Sequence, residues 1–308
     1  MKCRIADCRL QIGLGIGAAA LALMVCAGGA TSRAQDAAPG VPGGDARRQT
    51  LDEILDLYVR DGSVYYRALK GDRNRLDGYV NALATSTPGT PGTPGAPGSI
   101  DAAPREEQIA FWLNAYNAIV LQTVIDHYPI AGKAREYPAR SIRQIPGAFE
   151  RLPHRVAGRM VTLDEIEQTM LTAFHDPRVF LALGRGAVGS GRLRSEAYVG
   201  SRLEQQLTGG ASECLNRAQC VDVDRVGNAV RVSAIFSWRE KDFVAAYAEK
   251  ATATFRTFST RSPIERAVLA FVDPRLLAGE RELLAKNTFR VEYIPFDWEL
   301  NDLTGRGR

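Results

Sequence analysis

Few residues in this chain have the type and spacing to do chemistry. Gly184-Arg185-Gly186-Ala187-Val188-Gly189 matches G-x-G-x-x-G, a pattern whose glycines let a phosphate approach the backbone at a helix N-terminus. The residues after it, Ser190-Gly191-Arg192-Leu193-Arg194, do not open an apolar helix, and no second strand ending in an acidic residue follows. A nucleotide-binding oxidoreductase is therefore disfavoured. Cys214 and Cys220 lie close in sequence, whereas Cys3, Cys8 and Cys26 all fall within the first 34 residues. Two neighbouring thiols in an oxidising compartment predict one local disulfide. His127, His154 and His175 are the only histidines, none at metal-ligand spacing with a cysteine, so neither a metal nor a cofactor is expected. Asn114 and Asn117 stand one helical turn apart inside an apolar run. Their amides are expected in one interior polar network, either satisfying buried backbone groups, the commoner outcome, or holding a ligand.

The elements that must position these groups read as a mixed order of helices and short strands. Thr50 and Glu53 form a capping box ahead of a helix whose Leu51, Ile54, Leu55 and Tyr58 share a face. Residues 86–99, STPGTPGTPGAPGS, repeat Pro-Gly too densely for helix or strand and predict a flexible surface insertion. Residues 104–127 are apolar around most of a helical circumference, which predicts a buried helix. Thr162 and Glu165 cap a helix that runs to about Phe174, residues 179–183 read as a short strand, and Ser201 with Glu204 caps another helix. Gly227-Asn228 predicts a hairpin turn between 221–226 and 229–233, and Phe289, Val291 and Tyr293 alternate as a late strand. The fold class expected is α+β: one mixed domain with a buried central helix and a small sheet.

The N-terminus is read as an address. Lys2, Arg4 and Arg9 precede residues 12–30, which are uncharged and rich in Ala, Leu and Gly; this is the composition of a secretory signal peptide. Ser32 and Ala34 offer small residues at the positions a signal peptidase inspects, with Gln35 as the new N-terminus. The expected organisation is a signal peptide over 1–34, a flexible tether over 35–49 and a globular domain over 50–308. The protein is then exported, to the periplasm or the exterior. An uncleaved anchor would need a stronger spanning helix than this Gly/Ala-rich run, and a lipidated Cys26 would need a smaller residue than Val25 before it. Removing the signal takes away most of the +4 formal charge. No Lys/Arg block follows, so no nucleic-acid surface is expected, and a membrane is a partner only if the signal stays uncleaved.

Several motifs together resemble one family. They are Tyr58-Val59-Arg60-Asp61-Gly62 with Val64 and Tyr66, Phe111-Trp112-Leu113-Asn114-Ala115-Tyr116-Asn117-Ala118, Leu163-Asp164-Glu165-Ile166-Glu167, Asp176-Pro177-Arg178, Leu193-Arg194 with Glu196-Ala197-Tyr198, and Asp297-Trp298-Glu299-Leu300-Asn301. In this order they resemble the domain of unknown function 547 family. The resemblance implies a papain- or transglutaminase-like thiol fold, with a histidine after Asp-Pro-Arg, two cysteines in the following loop and a histidine after the Ile-Glu pair. This chain departs at each point, with Phe180, Arg185, Ser190 and Gln168 in those places.

Thiol chemistry needs a thiolate and a base beside it, and neither stands at the matching positions. Ser190 with His175 is the remaining candidate catalytic pair, a serine nucleophile depending on a base brought close in space. Asn114, Asn117, Glu167, Arg178, Arg194 and Tyr198 are the candidate ligand-binding groups, with Trp298 in the same framework and Glu167 expected to pair with Arg178 or Arg194. The preferred expectation is a non-catalytic protein that binds a peptide, a glycan or a small anion. The alternative is a hydrolase or acyl-transfer enzyme using Ser190.

Overall fold

The first helix, α1 (Gly44–Tyr58), starts earlier than its predicted cap. Residues 45–49 contain no breaker and several strong helix formers, so the helix runs straight through Thr50. The chain is described here from a computed structural model that covers residues 44–85, 99–254 and 256–304. The predicted signal peptide and most of the Pro-Gly run lie outside the described residues.

After α1, β1 (Val59–Arg60) and β2 (Ser63–Val64) form a tight hairpin. Its turn residues Asp61 and Gly62 both have positive φ, 50° and 78°, the geometry that matches strand twist in a two-residue loop. Helices α2 (Tyr66–Gly71) and α3 (Asn74–Ala84) follow. The central helix α4 (Arg105–His127) is buried on most of its circumference, as its apolar sequence predicts. A second hairpin, β3 (His154–Val156) with β4 (Arg159–Val161), leads into α5 (Leu163–Glu165). Here the predicted capping box is present in both directions: Thr162 Oγ1 accepts from the Glu165 amide, and Glu165 accepts from the Thr162 amide. The helix continues in wider π-type turns over Ile166–Leu171 and closes in a 3₁₀ turn at Thr172–Phe174.

Residues 179–183 correct the expectation of a strand. A 3₁₀ helix spans Pro177–Leu181, because Asp176 accepts the Arg178 amide as N-cap and Pro177 supplies a preset φ at the first helical position. Helix α6 (Leu203–Leu215) also begins without the predicted Ser201–Glu204 cap; the Glu204 carboxylate bonds Arg178 instead. The predicted hairpin is present as β5 (Val221–Asp224) and β6 (Ala229–Ser233), with Asn228 at φ 50°. Helices α7 (Ala234–Trp238), α8 (Glu240–Thr254), α9 (Pro263–Val272) and α10 (Ala278–Lys286) then lead to β7 (Arg290–Ile294). β7 pairs parallel to β6, giving a three-stranded sheet in the order β5-β6-β7.

The fold is thus α+β, one mixed domain with small sheets and a continuous apolar core that extends from Leu51 to Leu300. Among the described residues no helix is long and apolar enough to cross a membrane. The C-terminal segment closes the domain by main-chain pairing. Asp297 and Glu299 carbonyls accept from the Gly189 and Val188 amides at 2.8 and 2.9 Å, and the Asn301 carbonyl accepts from Val64 at 2.8 Å.

Candidate functional site

The glycine-rich loop owes its composition to packing. Four of its six amides are already engaged: Gly184 donates to Asn117 Oδ1 at 2.8 Å, Arg185 to Ser190 Oγ at 3.0 Å, and Val188 and Gly189 to the C-terminal segment. These four N–H groups are therefore taken up by the protein itself rather than aimed at a phosphate. A Cβ at Gly189 would lie 2.7 Å from the Asp297 nitrogen, and one at Gly191 only 1.6 Å from the Leu181 carbonyl oxygen. Glycine is required there because two backbones meet.

Ser190 is buried in this loop, its hydroxyl accepting from the Arg185 amide. His175 is exposed at the end of the 3₁₀ turn, at φ 53°, where it ends the helical segment. Among the described residues no hydrogen bond joins the two.

The two asparagines act as clamps on backbone. Asn114 donates to the Tyr198 carbonyl at 2.9 Å and accepts from the Tyr198 amide at 2.8 Å. Asn117 donates to the Ala182 carbonyl at 3.3 Å while accepting from Gly184. Each amide thus satisfies one donor and one acceptor of a buried loop. Tyr198 is itself buried, its hydroxyl 3.5 Å from the Ala182 carbonyl.

The predicted partners of Glu167 are corrected. Arg178 is held by Asp176 and Glu204, at 2.7 Å to each, and Arg194 by Glu196 at 2.6 Å. Glu167 pairs with Arg185: Nη2 lies 2.7 Å from Oε1 and Nε 3.2 Å from Oε2, with Tyr116 donating to the same carboxylate at 3.4 Å. The pair is almost completely enclosed, with side chains 3 % and 9 % exposed. Burial works to lower the Arg185 pKa, but the Glu167 carboxylate together with Tyr116 and Asp164 raises it and holds the guanidinium charged. The third Arg185 bond goes from Nη1 to the Phe180 carbonyl at 3.2 Å. Two of the departures from the family pattern, Arg185 and Phe180, are therefore joined to each other inside the core.

The third departure, Gln168, meets them from the other side. The Arg239 guanidinium lies over the Phe180 ring, its carbon 3.6 Å from the centroid, a stacked cation–π contact. It also donates to Gln168 Oε1 and Thr172 Oγ1 and pairs with Asp242 at 2.9 Å. Arg239 is only 4 % exposed, and burial lowers its pKa, an effect Asp242 opposes only in part. Its Nε–H finds no acceptor among the described residues.

Above this arginine opens a cleft of about 840 Å³, lined by Gln168 and Thr172 on one side and by Ser237, Trp238, Arg239, Lys241, Asp242 and Pro263 on the other. The size suits a small-molecule site. Trp238 is 46 % exposed on its rim, yet it is anchored: its ring lies 4.8 Å from Phe296 and 6.0 Å from Trp298, the latter nearly parallel at 22°. Trp298, part of the predicted framework, thus supports the cleft rather than lining it.

Sequence reading missed Trp238, Arg239 and Lys241. The one usable hint was Gln168, a polar side chain placed where the resemblance implies a histidine; nothing local to 237–242 marks those residues as a site. Cys214 and Cys220 are bonded to each other, their Cα atoms 5.4 Å apart, and tie the end of α6 to the start of β5. Among the described residues no group of three His, Cys, Asp or Glu side chains converges to hold a metal ion.

No curated protein and no solved structure matches the chain. The glycine loop, both asparagine clamps, the Glu167–Arg185 pair and the Gln168 side of the cleft all lie within residues 100–214, and it is this segment that matches the family described as "Protein of unknown function, DUF547".

Proposed function

We propose that the protein is exported and binds a ligand without transforming it, in the cleft between Gln168 and Trp238. The observation that carries this reading is the buried Glu167–Arg185 pair. Where the resemblance implies a thiol, the chain has a guanidinium whose donors are directed to Glu167 and to the Phe180 carbonyl. A residue so engaged cannot act as a nucleophile, and Phe180, at the implied histidine position, offers no base. Against Ser190 replacing them stands its hydroxyl's engagement with a backbone amide within its own loop. Export is supported by the charged start, uncharged run and small residues over 1–34.

Two measurements test the reading. A fluorophosphonate should leave the purified protein unlabelled; stoichiometric labelling abolished by Ser190→Ala would replace binding with acyl-transfer chemistry. Intact mass of the protein recovered from the periplasm or medium should correspond to a chain starting at Gln35, and retention of the full-length chain in the cytoplasm would refute export.

A further inference from the structure

The chemistry of the cleft narrows the class of ligand, on the reading that this cleft is the binding site. Two cations, Arg239 and Lys241, and two carboxylates, Glu240 and Asp242, line it together. Arg239 is already paired with Asp242 at 2.9 Å. The charges balance, so a small anion meets no excess positive field. A peptide adding as a strand would need an open sheet edge. The cleft is built instead from the end of α7, the start of α8, the start of α9 and the turns around Gln168 and Thr172, and no strand of the three-stranded sheet lines it.

What the cleft does offer is an exposed, fixed indole beside a dense mixture of donors and acceptors. Trp238 is backed by Phe296 and Trp298, themselves 4.4 Å apart, so its ring is positioned before any ligand arrives. Next to it stand the Gln168 amide and the Asp242 carboxylate, together with the Thr172 and Ser237 hydroxyls, which donate to the Glu167 and Ala234 carbonyls and so face a ligand as acceptors. Gln168 and Thr172 are held by Arg239, and Arg239 is held by Phe180. A sugar ring has the complementary surface: an apolar C–H face that packs on an aromatic plane, and hydroxyls that each donate and accept. We propose that this cleft binds a neutral saccharide, with one ring packed on Trp238 and hydroxyls bonded to Gln168, Asp242 and the groups beside them. The cleft volume accommodates more than one sugar ring.

Titration calorimetry on the full mature chain tests this, with chitotriose and cellotriose as neutral probes and trigalacturonate as the anionic one. At least one neutral trisaccharide should bind, with an affinity insensitive to added salt. Trp238→Ala should weaken that binding about tenfold or more, whereas Trp238→Phe, which keeps an aromatic face, should stay within about threefold. Trp238→Ala also loses the packing on Phe296 and Trp298 and is expected to melt below the parent, whereas Trp238→Phe keeps an aromatic contact, so the Phe variant separates loss of the face from loss of the fold. Failure of both neutral probes overturns the inference. Binding of trigalacturonate alone, screened by salt and lost in Trp238→Ala, overturns the saccharide class as neutral while leaving the cleft as a binding site. Conversion of a bound trisaccharide to products would instead overturn the non-catalytic reading on which the inference rests.

Discussion

Removing one member of the buried Glu167–Arg185 pair should cost far more than removing both. Arg185→Met deletes three hydrogen bonds, two to Glu167 and one to the Phe180 carbonyl. It leaves the Glu167 carboxylate enclosed, with Tyr116 as its remaining donor at 3.4 Å. Breaking a buried pair in this way costs about 3–5 kcal/mol, because the surviving charge keeps its desolvation penalty without its counter-charge. That is a large fraction of a typical stability of about 5–15 kcal/mol. Glu167→Met strands the guanidinium and should cost a similar amount. The double variant removes both charges and substitutes apolar side chains, so it should recover most of the loss and lie within about 2 kcal/mol of the parent. Urea denaturation with a common m-value measures all three. Additive losses, or a single-variant cost below about 1 kcal/mol, would refute the view that this pair is an interdependent part of the core.

Two further outcomes follow from the same contacts. Asn117→Asp keeps the acceptor for the Gly184 amide but turns the donor facing the Ala182 carbonyl into a second acceptor; a loss of about 1–3 kcal/mol in denaturant unfolding is expected, and an unchanged midpoint would show that the clamp is dispensable. His154 is half-buried on β3, its Nε2 without a partner, and burial lowers its pKa although Asp126 opposes the shift. A histidine whose folded pKa is depressed stabilises the fold above its unfolded value and loses that contribution as pH falls. The melting temperature should therefore drop on acidification below about pH 6.5, and His154→Gln should flatten that part of the profile; an identical profile in the variant would exclude His154 as its source.

Much of the fold was legible because it obeys short-range rules. The all-round apolar run gave the buried α4, the Thr162–Glu165 spacing gave a real capping box, and Gly227-Asn228 gave the turn between β5 and β6. The misread segment, 179–183, shows where such rules compete. A short apolar run fits either a strand or a buried 3₁₀ helix, and here the Asp176-Pro177 start decided for the helix. For the asparagine pair the sequence leaves two outcomes open, buried backbone groups or a ligand, and the partners in the structure are the carbonyls and amides of the loops at 182–184 and 198.

By itself, then, the sequence determined the α+β class, the buried central helix, the local disulfide partners and the absence of a thiol or histidine at the positions the family resemblance implies. It could not determine which charges meet. Glu167 has several arginines within reach in sequence, and its pairing with Arg185 rather than Arg178 or Arg194 depends on which side chains face inward once the π-type turns and the glycine loop are packed. The cleft was equally illegible, because Gln168 and Arg239 stand 71 residues apart and meet only when α7 and α8 fold back over Phe180. Caps and periodicity act within a few residues of chain, whereas a binding site is a property of surfaces that only the tertiary fold brings face to face.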